Sequence, residues 1–143
     1  MTPLSIALTA YPDFVHVRVT GTLTLQTARA FYASLSKDRP AADIPRLIDF
    51  RAIEDYDIDF LQAGVFIDFA MKALRANPNT HLRRVFLAED KWIYANLRLV
   101  ATRAEVIENY EVTLAQSEDE ALQQLGYAPG LRLRDIPCAD TGM

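Results

Sequence analysis

The sequence is poor in the residues from which reactive centres are usually built. It has one cysteine, Cys138, so no disulfide can close within the chain, which favours a reducing compartment. Its two histidines, His16 in a strand-like run and His81 in a turn, have no metal-ligand spacing to another candidate, so no metal site is expected. None of the five glycines opens a phosphate loop; Gly21 stands alone after a strand-like run. No Ser/His/Asp set is evident. No apolar run approaches the roughly 20 residues needed to span a bilayer, so no membrane association is expected. Met1-Thr2-Pro3-Leu4-Ser5 lacks the basic start and apolar core of a signal peptide. Basic residues are scattered apart from Arg83-Arg84, and the net charge is −4, so a nucleic-acid footprint is missing. These absences predict a cytoplasmic chain that is not an enzyme and carries no cofactor.

What is present is an ordinary globular composition. Half of the residues are hydrophobic, and 143 residues suffice for one core without staples. Leu4, Ile6 and Leu8 alternate with Ser5, Ala7 and Thr9, the pattern of a half-buried strand. After the turn signal Tyr11-Pro12-Asp13, Val15, Val17 and Val19 alternate with His16, Arg18 and Thr20. Two strands joined so tightly should pair antiparallel. Thr24 can cap a helix carrying Leu25, Ala28, Phe31, Tyr32 and Leu35 at helical spacing. Arg46-Leu47-Ile48-Asp49-Phe50 reads as a central strand, and residues 52–57 as an acidic loop. A second helix spans residues 58–76 and stops before Asn77-Pro78. A strand follows over 82–88, a helix over 89–104 and a strand over 110–115. Ser117 and Glu120 form a capping-box pattern for a short helix ending at Gly126. The order β-β-α-β-α-β-α-β-α predicts an α/β fold: a mixed, mostly parallel central sheet with an N-terminal antiparallel hairpin and flanking helices. Residues 1–126 read as one domain and 127–143 as a C-terminal tail, partly packed through Leu131, Leu133 and Ile136.

Four stretches carry a family resemblance: Val17-Arg18-Val19-Thr20-Gly21-Thr22-Leu23, Arg46-Leu47-Ile48-Asp49-Phe50-Arg51, Arg84-Val85-Phe86-Leu87-Ala88, and the segment from Ser117 to Gly126. Over residues 4–126 the chain resembles a STAS-type domain, the fold of bacterial anti-sigma factor antagonists, in its SpoIIAA-like branch. The resemblance implies a regulatory role and a phosphorylatable Ser or Thr where the helix after the central strand begins. The matching stretch here, Tyr56-Asp57-Ile58-Asp59-Phe60-Leu61, has no hydroxyl except the phenol of Tyr56. The phosphoswitch does not carry over. Asp59 would imitate a permanent negative charge at a helix N-terminus, whereas the plainer role of Asp57 and Asp59 is capping.

The second helix is the most informative segment. Phe60, Ala63, Gly64, Ile67, Ala70, Met71 and Leu74 form an apolar stripe suited to covering the sheet. Leu61, Val65, Phe66, Phe69 and Ala73 fall outside it, giving a helix apolar on nearly all sides. That excess calls for cover by a second subunit, a protein partner or the tail, and a homodimer is the commonest solution. A second candidate region lies where ligands bind open α/β sheets, beyond the carboxyl ends of the strands. Asp49, Arg51, Asp57, Asp59 and Glu89 sit there, and Arg98 with Trp92 or Tyr94 suits an anion or a flat ring. The leading expectation is a non-enzymatic interaction module. The alternatives are a domain binding an apolar or anionic small molecule, and an enzyme using Asp49, Asp57 or Asp59 with an arginine.

Overall fold

The computed structural model describes residues 3–29, 44–57, 64–76 and 81–138. Phe31, Tyr32, Leu35, Asp59 and Leu61 lie outside them, as does the start expected for the second helix.

Strands β1 (Ser5–Ala10) and β2 (Val15–Thr24) form the antiparallel hairpin, from Ser5 opposite Thr20 to Ala10 opposite Val15. The Tyr11 N–H closes the turn on the Phe14 carbonyl at 2.9 Å. Helix α1 begins at Leu25 and is described over residues 25–29. Its cap is Thr24, whose hydroxyl accepts from the Thr27 N–H at 3.1 Å. The remaining elements are β3 (Arg46–Asp49), β4 (Ile53–Asp57), α2 (Gly64–Ala76), β5 (Leu82–Leu87), α3 (Lys91–Ala104), β6 (Tyr110–Ala115) and α4 (Glu118–Gln124), then a 3-10 turn over Leu133–Asp135. The sheet order is β1-β2-β3-β5-β6, with every pair after the hairpin parallel. The expected mixed sheet is therefore present.

β4 corrects the expectation of an acidic loop. It pairs parallel with the second half of β2, where Ile53 stands opposite Gly21 and Tyr56 opposite Leu23. Glu54, Asp55 and Asp57 point to solvent while Tyr56 is buried. Charge on the exposed positions masks the strand in sequence, and backbone pairing to β2 decides it. Gly21 is required where β2 changes partner. Its φ is 91°, and a Cβ there would lie 2.0 Å from the Pro3 carbonyl oxygen.

Cross-strand register sorts the core onto two faces. Val15, Val17, Val19, Ile48, Phe86, Val112 and Leu114 share one face with Ala28, Ile93, Leu97 and Val100 of the covering helices. α3 lies on β6 and α2 beside α3. Leu47, Val85, Leu87 and Ala115 share the other face with Phe14, with Ala121 and Leu122 of α4, and with Leu133 and Ile136. Leu131 and Tyr127 pack at its margin. The stretch that follows α4 thus forms part of the cover of that face.

On α2, Asp68, Lys72 and Arg75, spaced four and three apart, are exposed. Phe69 is half-buried and packs against the first core rather than standing outside it. Ile67 and Leu74 join a small cluster with Leu82, Ala104 and Tyr110.

Candidate functional site

The strand ends hold a charged centre built around Asp49, the last residue of β3. Parallel pairing of β2 with β3 puts His16 opposite Leu47, so Asp49 is its diagonal neighbour on the same face. The His16 ring donates from Nε2 to Asp49 Oδ2 at 2.9 Å. After β3 the chain turns sharply: the Phe50 N–H bonds the Leu87 carbonyl at 2.9 Å, and the Arg51 N–H returns to Asp49 Oδ1 at 3.0 Å. That side-chain-to-backbone turn is a habit of aspartate two residues ahead of a free N–H. It brings the Arg51 guanidinium onto the same carboxylate, Nε to Oδ1 at 3.0 Å and Nη2 to Oδ2 at 2.9 Å. The pairing is bidentate, the strongest geometry open to arginine and carboxylate.

The network continues into α4. Arg51 Nη2 also lies 3.0 Å from Glu118 Oε1. Glu118 Oε2 accepts the Leu133 N–H at 2.8 Å. In the same turn Asp119 Oδ1 accepts the Gly130 N–H at 2.7 Å. Ser117 caps the helix by accepting from the Glu120 N–H at 3.1 Å, while Glu120 reaches back to the Gln116 N–H. Glu118 and Asp119, in the first turn of α4, therefore fasten residues 130–133 to it.

Asp49 is 3% exposed. Burial alone would push its carboxyl pKa up, but the hydrogen bonds from His16 and Arg51 outweigh that and hold it well below the ordinary carboxylate range. The same bond to Asp49, against the opposing effect of burial, raises the Arg51 guanidinium above its usual value. The centre is an ionised carboxylate with four donors on two oxygens. It has no lone pair in a position to take a substrate proton and no tendency to gain one.

The other expected site residues are dispersed. Asp57 closes β4 and is exposed; Glu89 is exposed beyond β5; Arg98 is exposed on α3. Among the described residues of that set, Asp49 and Arg51 meet, and Asp59 lies outside the described residues. His16 and Glu118 complete the centre, and sequence reasoning missed both. The signal for His16 was its place in a strand that would pair parallel with the one ending in Asp49, which needs the register. Trp92 is 67% exposed on the first turn of α3. Tyr56 is a different kind of buried polar group. Its hydroxyl has no hydrogen-bond partner among the described residues, and burial raises its pKa. Among the described residues no group of three His, Cys, Asp or Glu side chains could hold a metal ion. No described helix is long and apolar enough to cross a membrane.

The architecture that carries this centre is a STAS-type, SpoIIAA-like fold. It is similar to an anti-sigma factor antagonist from Mycobacterium paratuberculosis, with a TM-score of 0.56 and 15% identity over 85% of this chain and 93% of that one. A second solved structure, an uncharacterised DUF3478-family protein with a SpoIIAA-like fold from Shewanella loihica, aligns with a TM-score of 0.48 and 14% identity over 87% and 95% of the two chains. At such identities the likeness is one of fold. No protein-family model matches the chain, and no curated protein matches it.

Proposed function

We propose that this chain is a non-enzymatic regulatory module that acts in the cytoplasm by binding another protein. The observation that carries the reading is the saturation of Asp49: the one buried carboxylate among the described residues is spent on holding β3, α4 and residues 130–133 together. Such a centre supports architecture rather than turnover. The fold it shares with an anti-sigma factor antagonist supports a protein partner. The docking surface in this reading follows the apolar positions that the sequence leaves outside the sheet-covering stripe, Leu61, Val65, Phe66, Phe69 and Ala73, together with the exposed Trp92 on α3. Exposed tryptophan is the residue most enriched at the centres of protein interfaces. Lacking a serine or threonine in 56–61, the module would bind without a phosphorylation step there.

Quantitative affinity capture from the native organism tests this, comparing wild type with Phe66→Glu and Trp92→Ala. A single protein enriched by wild type and lost with either variant, at unchanged circular dichroism, is the expected result. Equal capture by all three chains would sink the proposal.

A second reading is favoured by the shallow depression of about 560 Å³ lined by Glu118, Arg132, Leu133 and Arg134. Among the described residues neither of these arginines forms an ion pair, so an anionic small molecule would find two cations there. Native mass spectrometry of freshly purified protein would reveal a retained ligand, lost in Arg132→Ala/Arg134→Ala.

A further inference from the structure

β1 ends the sheet. It pairs with β2 along all six residues, and among the described residues its other edge takes no backbone partner. Soluble proteins usually protect such an edge with a charge, a proline, a bulge or a covering element. Ser5-Ile6-Ala7-Leu8-Thr9-Ala10 contains no charge and no proline, and its register with β2 runs without a break. Leu8 is 48% exposed, and Ser5 and Ala7 are exposed beside it.

The strand is also its own complement. Reversed about Ala7, Leu4 meets Ala10, Ser5 meets Thr9 and Ile6 meets Leu8. The register with β2 puts Ile6 and Leu8, opposite Val19 and Val17, on the face of the first core. Ala7 and Thr9, opposite Arg18 and His16, lie on the other face. Antiparallel pairing about a dyad at Ala7 therefore sets apolar against apolar and hydroxyl against hydroxyl, and keeps the like faces of both copies on the same side. Directly opposite Ala7 in the register, Arg18 on β2 carries a charge. Across the dyad two such guanidinium-bearing strands would stand about 14 Å apart, three strand spacings, beyond the Debye length at physiological salt.

We propose that the chain self-associates by antiparallel addition of β1 to β1 of a second copy, joining two sheets into one. The proposal does not rest on the α2 surface. Sedimentation velocity of the full chain from 1 to 200 μM (about the range in which weak interfaces saturate) tests it, together with cysteine cross-linking in a Cys138→Ser background. The expected result is a concentration-dependent dimer whose Kd rises about tenfold or more in Leu8→Lys, because charge on the edge opposes pairing. Ala7→Cys, on the dyad, would oxidise to a disulfide dimer, since facing Cα atoms stand about 5 Å apart in an antiparallel pair. Thr9→Cys would not, because its mate lies about 13 Å along the partner strand. A monomer throughout that range overturns the proposal. So does a dimer indifferent to Leu8→Lys, or one in which Thr9→Cys cross-links as readily as Ala7→Cys. Circular dichroism of each variant confirms folding, and the cross-linking arm stands without Leu8→Lys.

Discussion

One face of the sheet is covered by α1, α2 and α3, where Val15, Val17 and Val19 pack against Ile93, Leu97 and Val100, and the Phe50 and Phe86 rings meet edge to face at 5.6 Å. The other face is covered by α4, seven residues long, and by residues 127–138. It adds to its apolar contacts the chain of polar ties from His16 through Asp49, Arg51 and Glu118 to Leu133. The difference follows from the size of the covering pieces. α3, fourteen residues long, presents a stripe that fixes its own position by packing. A seven-residue helix and a stretch with a single 3-10 turn have little intrinsic stability, and apolar contact is non-directional. Directional, charge-assisted bonds specify where they sit. The clamp closes over the carboxylate and buries it.

The comparison breaks most readily at the shared aromatic anchor of the clamped face. Phe14 is fully buried, stacked on Tyr11 at 4.7 Å and edge-on to Tyr127 at 5.9 Å. Phe14→Ala should cost about 4 kcal/mol in urea unfolding. Next in size is Arg51→Met, which leaves Asp49 buried without its cation and should cost about 3 kcal/mol. Adding Asp49→Asn to it should recover part of that loss, a coupling of about 1 kcal/mol or more in a double-mutant cycle. Independent, additive losses would mean that the pair does not act as a unit.

Acid sharpens the same contrast. The Asp49 carboxyl is lowered on folding, so its contribution is full above its unfolded pKa of about 3.9 and is lost as pH falls below that toward the folded value. The melting temperature of wild type should therefore fall more steeply between about pH 5 and pH 2 than that of Asp49→Asn. Parallel curves would remove Asp49 from the acid response. A smaller effect is expected from Asp119→Ala, about 1 kcal/mol for the lost acceptor of the Gly130 N–H. Hydrogen exchange should then quicken over residues 127–138 and leave α3 unchanged. Least of all, Glu111→Ala, which removes exposed pairs with Arg83 and His81, should change stability by less than about 0.5 kcal/mol.

Much of this was legible along the chain. The alternation in Leu4–Leu8 and Val15–Val19, the Thr24 cap, the Ser117 cap and the Gly126 stop each name a local structure, because each depends on neighbours within a few residues. Asp49 and Arg51 were legible as a candidate pair, since an aspartate two residues before an arginine can turn back on it. His16 and Glu118 were not, because their link to Asp49 runs across β2 and β3 in one direction and over to α4 in the other. β4 was hidden by its three exposed acids, and the half-burial of Phe69 by the assumption that α2 meets the sheet along one narrow stripe.

By itself, then, the sequence determined the order of strands and helices apart from β4, the antiparallel opening and the scarcity of reactive groups, all properties of composition and of periodicity over a turn or two. The tertiary structure alone decided which side of the sheet each polar residue joined, and so turned an aspartate at a strand end into the centre of a clamp. The physical reason is range. Periodicity and capping act between near neighbours, whereas parallel register sets side chains together that stand dozens of residues apart, and only there does burial give a charge its partners.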